Sequence, residues 1–188
     1  MREPVYYSGS AEFFDTHAHI YDRKFKAAGI STEEILQRCK SSGVTGVLIP
    51  ADSEETSRIA VEMANRYDGY EGVALYASVG VHPHEAKTYT EDTEKYLRSA
   101  LEARTGLKIM ALGEIGLDYY YALSERSVQR DVFERQMKLA YEYDVPIILH
   151  EREATGDCLD ILRRFYKEGR MRASSCCFFL RSGSWRPP

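Results

Sequence analysis

Five short apolar runs recur along the chain at intervals of roughly 30 to 35 residues, with longer amphipathic stretches between them. Each run has a length that suits a strand buried on both faces, which is typical of a parallel sheet. The runs are 12–15, 44–50, 73–79, 109–113 and 145–149. The pattern therefore predicts a series of strand–helix units.

The stretches between the runs carry helix signals. Ser31 followed by Glu34 matches a capping box, in which each residue caps the backbone of the other. Apolar residues recur at helical spacing around 96–101, 132–140 and 157–167, and Gly169 follows the last stretch as a stop signal. We therefore expect helical crossovers between parallel strands.

Side chains suited to metal binding or catalysis follow four of the runs. They are His17, His19, His82, His84, Glu114, Asp118 and His150. A (β/α)₈ barrel distributes its site over several strand ends, whereas an open doubly wound sheet gathers it at one switch point. The sequence therefore predicts an α/β, TIM-barrel-like fold that is incomplete, with about five or six of eight βα units.

The pair His17 and His19 has the spacing at which extended side chains point to the same side. Two imidazole nitrogens would then converge on one point. A carboxylate from another strand, Glu114, could bridge an ion held there and a neighbouring ion, as in two-metal hydrolases. Histidine nitrogen favours zinc or manganese, but a mixed histidine and carboxylate site also accepts magnesium, so the divalent metal remains open.

The composition excludes some classes of protein and one mode of nucleic-acid binding. Hydrophobic residues make up 44% of the 188 residues, which excludes general disorder. A net charge of −4 gives no overall attraction for nucleic acid, so any contact with a polyanion must come from a local site.

The cysteines and the hydropathy pattern predict a cytoplasmic protein. Cys39, Cys158, Cys176 and Cys177 show no repeated C-x-x-C spacing, which fits a reducing compartment. No signal-peptide pattern and no apolar stretch near the roughly 18 residues of a membrane span occurs, so we expect no membrane partner.

Four motifs resemble the TatD family of metal-dependent deoxyribonucleases, within the amidohydrolase-like barrels. They are Phe14-Asp-Thr-His-Ala-His19, Gly80-Val-His-Pro-His84, Gly113-Glu-Ile-Gly-Leu-Asp-Tyr119 and Pro146-Ile-Ile-Leu-His-Glu-Arg-Glu-Ala154. Their order matches the family from about residue 12 to 168. The resemblance implies a two-metal phosphodiesterase that trims DNA, single-stranded or at 3′ ends, as a 3′-5′ exonuclease.

The same resemblance implies roles for individual residues. His17 and His19 would bind one metal, Glu114 would bridge, and His150 would bind the other metal. His82 and Arg152 would face the substrate phosphate. The sequence leaves two interpretations open for Asp118. It could orient a metal ligand or the attacking water. Alternatively, it could cap the turn that follows.

The sequence departs from the family after the fourth of these motifs, which ends at Ala154. The family continues with a histidine in a His-Cys-Phe-Ser-Gly-like motif and with a late aspartate ligand, but no histidine follows His150 here. From Gly169 onward there are four arginines and neither Asp nor Glu. We therefore divide the chain into an N-terminal extension (1–11), a barrel portion (12–168) and an atypical tail (169–188). The tail indicates that the C-terminal part of the family's sequence is truncated or altered here. We expect residues 174–188 to form neither a clean strand nor a helix.

Several alternatives stay open. The chain could be a metal-dependent amidohydrolase acting on a small substrate, which the His-x-His pair alone would permit, or a non-catalytic truncated form. Tyr119-Tyr-Tyr121 could stack on a terminal nucleotide or could pack as a loop over the barrel mouth. Arg152 could bind phosphate through its planar fork of donors or could pair with a nearby carboxylate.

Overall fold

A parallel sheet of six strands forms the centre of the molecule, in a computed structural model that describes residues 12–171 and the backbone of strand 176–180. Every neighbouring pair of strands is parallel, and the strands lie in the order in which they occur in the chain. The strands are β1 (Phe13–Asp15), β2 (Val44–Ile49), β3 (Ala74–Val79), β4 (Ile109–Asp118), β5 (Ile147–Arg152) and β6 (Cys176–Leu180).

Between residues 12 and 171, six α-helices connect or flank these strands, namely α1 (Arg23–Ala27), α2 (Thr32–Ser41), α3 (Glu54–Tyr67), α4 (Glu91–Glu102), α5 (Arg126–Glu142) and α6 (Thr155–Lys167). In α2 only half of the predicted capping box forms. Ser31 accepts the N–H of Glu34 at 3.1 Å, but the carboxylate of Glu34 pairs with Arg38. No helix in the described ranges is both long enough and apolar enough to cross a bilayer.

The strand order confirms the predicted fold class. An open doubly wound sheet reverses its strand order at a switch point, whereas a (β/α) barrel adds each strand beside the previous one. The order β1-β2-β3-β4-β5-β6 has no reversal. The chain therefore forms an incomplete TIM-barrel-like fold.

The prediction for the tail was wrong at residues 176–180. This segment pairs with β5 in register from Ile147 opposite Cys176 to Glu151 opposite Leu180. The segment is a short apolar run, and the edge of β5 offers backbone donors and acceptors that such a run can pair with. The remainder of the tail beyond residue 171, and the predicted extension 1–11, lie outside the described residues.

The core lies mainly between the sheet and the helices. Side chains alternate along β2, so that Val47 and Ile49 are buried in the cluster on the helical side. Leu48 points to the other face and packs with Ala111 and Ile148. Strand β2 therefore buries both faces, as the continuous apolar runs predicted. The prediction was wrong for β1, which lies at the edge of the sheet and leaves Phe13 and Phe14 exposed.

Candidate metal centre

The C-terminal ends of β1 to β5 open into one cleft with a volume of about 1190 Å³. All five histidines of the chain line this cleft, together with two carboxylates from β4 and a guanidinium from β5. These side chains are His17, His19, His82, His84, Glu114, Asp118, His150 and Arg152. The fold thus brings together every residue that the sequence analysis selected for the site.

The buried carboxylate of Glu114 lies between two groups of histidines. One oxygen, Oε2, is 3.4 Å from Nε2 of His17 and 3.2 Å from Nε2 of His19. The other, Oε1, is 3.8 Å from Nδ1 of His150. Burial raises the pKa of Glu114, but contacts with His150, His17 and His19 outweigh burial, and the pKa lies well below its usual value. Glu114 is therefore placed to bridge two cations.

Backbone contacts with the end of β2 hold both sides of this centre. The N–H of Glu114 donates to the carbonyl of Ala51 at 2.6 Å, and the N–H of Ala18 donates to the carbonyl of Leu48 at 3.1 Å. The second bond fixes the segment between His17 and His19 beside β2, beyond the last residue of β1. The two imidazoles converge as their spacing predicted, with Nε2 atoms 3.2 Å apart.

His17, His19 and Glu114 form the first candidate ligand group, in which one ligand atom from each residue lies within 4.8 Å of the others. Two imidazole nitrogens and one carboxylate oxygen are ligands that zinc and other divalent transition metals accept. The donor chemistry of this group therefore fits a divalent metal.

His82, Glu114 and His150 form a second group within the same distance limit, and all three are buried. Nδ1 of His82 accepts the backbone N–H of His84 at 3.1 Å. A neutral imidazole has one acceptor and one donor nitrogen, so this bond leaves Nε2 of His82 as a donor. Burial lowers the pKa of His82 to about 3, assisted by His150, so the ring is neutral. His82 is thus close enough to be a ligand, but its lone pair is already engaged.

The contacts of Asp118 are compatible with both of the interpretations that the sequence left open. Its Oδ2 accepts from Nε2 of His84 at 2.8 Å and from Nε2 of His150 at 3.1 Å. Its Oδ1 accepts the backbone N–H of Tyr121 at 2.9 Å and so caps the turn after β4. Burial raises the pKa of Asp118, but the bonds from Tyr121, His84 and His150 outweigh burial and lower it.

Arg152 stacks on the tyrosines at the cleft mouth. Its guanidinium carbon lies 4.0 Å from the ring centre of Tyr120 and 4.5 Å from that of Tyr121. Its Nε atom is buried and has no hydrogen-bond partner within the described part of the chain. The structure shows no ion pair of Arg152 with a carboxylate among residues 12–171, which was one of the two sequence-based interpretations.

Strand β4 can lie close to β5 at the site because Gly116 has no side chain. Gly116 pairs with His150, and a Cβ atom at Gly116 would lie 2.0 Å from the carbonyl oxygen of His150. The φ angle of Gly116 is +143°, which residues with side chains rarely adopt. This close approach places His150 beside Glu114.

Tyr21 contacts His19 behind the first ligand group and was not predicted as a site residue. The signal for Tyr21 was present in the chain, since residues 17, 19 and 21 continue the same alternating spacing. Lys24 and Phe25 of α1 also line the cleft and were not predicted. No motif marked these two, because α1 is a short helix with no buried residue.

Comparison with known proteins gives consistent matches. The sequence model of a family described as TatD related DNase matches residues 14–182. The chain is 35% identical over 150 residues to the uncharacterized metal-dependent hydrolase YabD of Bacillus subtilis, covering 80% of this chain and 54% of YabD. It is 34% identical over 122 residues to the 3'-5' ssDNA/RNA exonuclease TatD of a Pantoea species, covering 65% of this chain and 44% of that protein.

A solved structure shows the same fold. The crystal structure of YjjV, a TatD homolog from Escherichia coli K12, superimposes with a TM-score of 0.70 at 33% identity. The match covers 81% of this chain and 55% of YjjV. The chain therefore spans about half the length of the relatives that it matches.

Proposed function

Because the chain belongs to the family of TatD-related deoxyribonucleases, we propose that it is a metal-dependent phosphodiesterase that hydrolyses DNA. The observation that carries the proposal is the convergence of His17, His19 and His150 on the two oxygens of buried Glu114. The relative named as a 3'-5' ssDNA/RNA exonuclease supports a single-stranded substrate that is cleaved from its 3′ end. The cysteine pattern supports a cytoplasmic location.

His17, His19 and Glu114 would hold one divalent ion, and Glu114 and His150 would hold the other. Bound divalent ions lower the pKa of a coordinated water, polarise the scissile phosphate and stabilise the leaving oxygen. The first group supplies three ligands, whereas the second supplies two once the lone pair of His82 is engaged by His84. We therefore expect the second ion to bind more weakly.

His82 acts on the substrate in this proposal. Its Nε2–H is a donor in the same cleft as Glu114 and His150, so it can donate to a non-bridging oxygen of the phosphate. Because the ring is held by the bond from His84, the donor is oriented before the substrate binds. Asp118 orients His150 through Nε2 and leaves Nδ1 to face Glu114 and the second ion.

Arg152 is the second residue that would contact the phosphate in this proposal. Stacking on Tyr120 and Tyr121 fixes the plane of the guanidinium, and a planar fork of N–H donors matches the oxygens of a phosphate. Tyr120 and Tyr121 thus support the arginine. The two roles expected from the sequence for Tyr119-Tyr-Tyr121 were stacking on a terminal nucleotide and packing as a loop over the barrel mouth.

Glu114→Gln tests the proposal because it keeps the shape of the side chain and removes its charge. We expect the variant to lose at least one bound ion and to lose at least about a hundredfold in the rate of single-stranded DNA cleavage. Metal content after dialysis and cleavage of a 5′-labelled oligonucleotide measure these effects. A ladder that shortens from the 3′ end would identify the exonuclease direction.

Glu62→Gln is the matched control, since Glu62 is exposed on α3 and outside the cleft. It should retain the metal content and cleavage rate of the wild type. Unchanged metal-dependent cleavage by Glu114→Gln, in preparations free of contaminating nuclease, would contradict the proposed centre. Hydrolysis of small amide or ester substrates in place of DNA would favour the amidohydrolase alternative.

A further inference from the structure

Tyr21 lies directly behind the first ligand group and makes two hydrogen bonds through its hydroxyl. The hydroxyl oxygen is 3.0 Å from Nδ1 of His19 and 2.9 Å from the carbonyl oxygen of Pro50. The rings of Tyr21 and His19 meet edge to face, with centroids 5.6 Å apart and an interplanar angle of 81°. Both contacts restrict how the His19 ring can turn.

The direction of these bonds follows from the atoms involved. A carbonyl oxygen accepts and cannot donate, so the single hydroxyl proton of Tyr21 is given to Pro50. The hydroxyl oxygen then accepts, and Nδ1 of His19 must carry the proton. In a neutral imidazole this leaves the lone pair on Nε2.

Nε2 of His19 is the atom that faces the metal centre. It lies 3.2 Å from Oε2 of Glu114 and 3.2 Å from Nε2 of His17. The opposite tautomer would place a proton on Nε2, where it would block coordination, and would leave Nδ1 and the Tyr21 oxygen facing each other as two acceptors. In the Nδ1–H tautomer the two acceptors that face each other are Nε2 and Oε2 of Glu114, which is the arrangement that a cation between them would satisfy. From this geometry, and resting on the metal site of the proposed function, we infer that Tyr21 is a positioning residue that fixes the tautomer of His19 for metal binding.

The two ligand groups are then oriented by different chemistry. His150 is held by the carboxylate of Asp118, which carries a negative charge beside the ring. His19 is held by a neutral relay from Tyr21 to the carbonyl of Pro50. A neutral partner fixes the proton without adding charge, so removing the Tyr21 hydroxyl should change the tautomer and the affinity for metal without changing the net charge of the site.

The first test is the tautomer of His19 in the metal-free protein, from long-range proton–nitrogen spectra at alkaline pH, with the resonance assigned by His19→Ala. We expect the proton on Nδ1 in the wild type and a mixture of tautomers in Tyr21→Phe. A proton on Nε2 of His19 in the folded wild-type protein would overturn the inference, and this outcome requires no tyrosine variant. An unchanged Nδ1–H tautomer in folded Tyr21→Phe would overturn it as well.

The second test is a titration of the metal-free protein with Zn²⁺. Loss of an outer partner of a ligating histidine weakens metal binding about tenfold to a hundredfold, so Tyr21→Phe should bind its first zinc at least about tenfold more weakly. Tyr143→Phe is the matched control, because it loses a hydroxyl bonded to Glu102 at 3.1 Å, outside the cleft. Equal zinc affinity in Tyr21→Phe and the wild type would contradict the inference.

These measurements separate the inference from the proposed function. If the tautomer and the zinc affinity change as expected but the wild type does not cleave DNA, the role of Tyr21 stands and the deoxyribonuclease proposal fails. If the wild type cleaves DNA and Tyr21→Phe keeps the tautomer and the affinity, the role of Tyr21 fails and the proposed function stands.

Discussion

The carboxylate of Asp118 accepts a hydrogen bond from Nε2 of His150 at 3.1 Å, and this bond turns Nδ1 of the ring toward Glu114. Asp118 is fully buried, so water does not compete for the bond. A carboxylate in this position fixes the tautomer of a ligating histidine and increases the basicity of its other nitrogen.

We predict that Asp118→Asn weakens binding of the second metal ion by about tenfold or more, because the amide is neutral and a weaker acceptor. A calorimetric titration with Mn²⁺ measures the effect. Asp160→Asn is the control, since Asp160 is exposed on α6 and pairs only with Arg163 among the described contacts. Identical Mn²⁺ isotherms for Asp118→Asn and the wild type would show that Asp118 only caps the turn at Tyr121.

Gly116→Ala should destabilise the fold. The added methyl group would meet the carbonyl of His150 at a φ angle that alanine rarely adopts, so we expect the free energy of unfolding to fall by about 2 kcal/mol or more. Urea denaturation measures it. Gly156→Ala provides the contrast, because Gly156 lies in α6 with nothing within 4 Å of the new methyl group, and this change should be neutral or stabilising. Equal stability losses in both variants would refute the argument.

Arg152→Lys should raise the KM for single-stranded DNA by about tenfold with a smaller change in kcat. The lysine keeps the charge but loses the planar fork and the stacking on Tyr120. Steady-state kinetics on a short oligonucleotide measure both constants, and Arg163→Lys on the exposed face of α6 serves as the control. A KM equal to that of the wild type would exclude Arg152 from phosphate recognition.

The ion pairs of Glu94 with Arg98 and Arg135 should make a pH-dependent contribution to the free energy of unfolding. Burial raises the pKa of Glu94, but the bonds from Arg135 and Arg98 outweigh burial and lower it. Since the pKa is lower in the folded state, the contribution is complete above the ordinary glutamate pKa and is lost as the pH falls through the folded value. Glu94→Gln should therefore cost about 1 kcal/mol at neutral pH and much less in acid.

Urea denaturation of Glu94→Gln at neutral pH and at about pH 3 measures that difference. Glu62→Gln, which removes an exposed carboxylate from α3, should show little change at either pH. A cost for Glu94→Gln that stays constant over this range would argue that the loss comes from packing and not from charge.

The sequence predicted the barrel-like order and the residues of the cleft because both depend on local patterns. Apolar runs identify strands, and the ends of parallel strands meet at one edge of the sheet, so His82, Glu114 and His150 had to lie near one another. The strand lengths were less well predicted. β4 continues to Asp118, five residues past its predicted end, because β5 pairs with it as far as Arg152.

Other features could not be predicted because they depend on contacts between distant residues. Asp118 accepts hydrogen bonds from both His84 and His150, which follow different strands. Neither the spacing of these residues nor their type shows that they share this carboxylate. The tautomer of His82 depends on one backbone N–H two residues later, and that of His19 on a carbonyl at Pro50. Periodicity shows which face a side chain occupies but not which nitrogen carries the proton.

The sequential order of the strands also has a consequence for how the centre forms during folding. His17 and His150 are far apart in the chain, but each strand pairs with the next one, so paired residues of successive strands are only 28 to 35 positions apart. Short closures cost less chain entropy than one long closure and favour faster folding. As the chain leaves the ribosome, each βα unit can dock on the unit before it. The ligands of the first group need only β1 to β4, so they can meet before β5 brings His150 to the site.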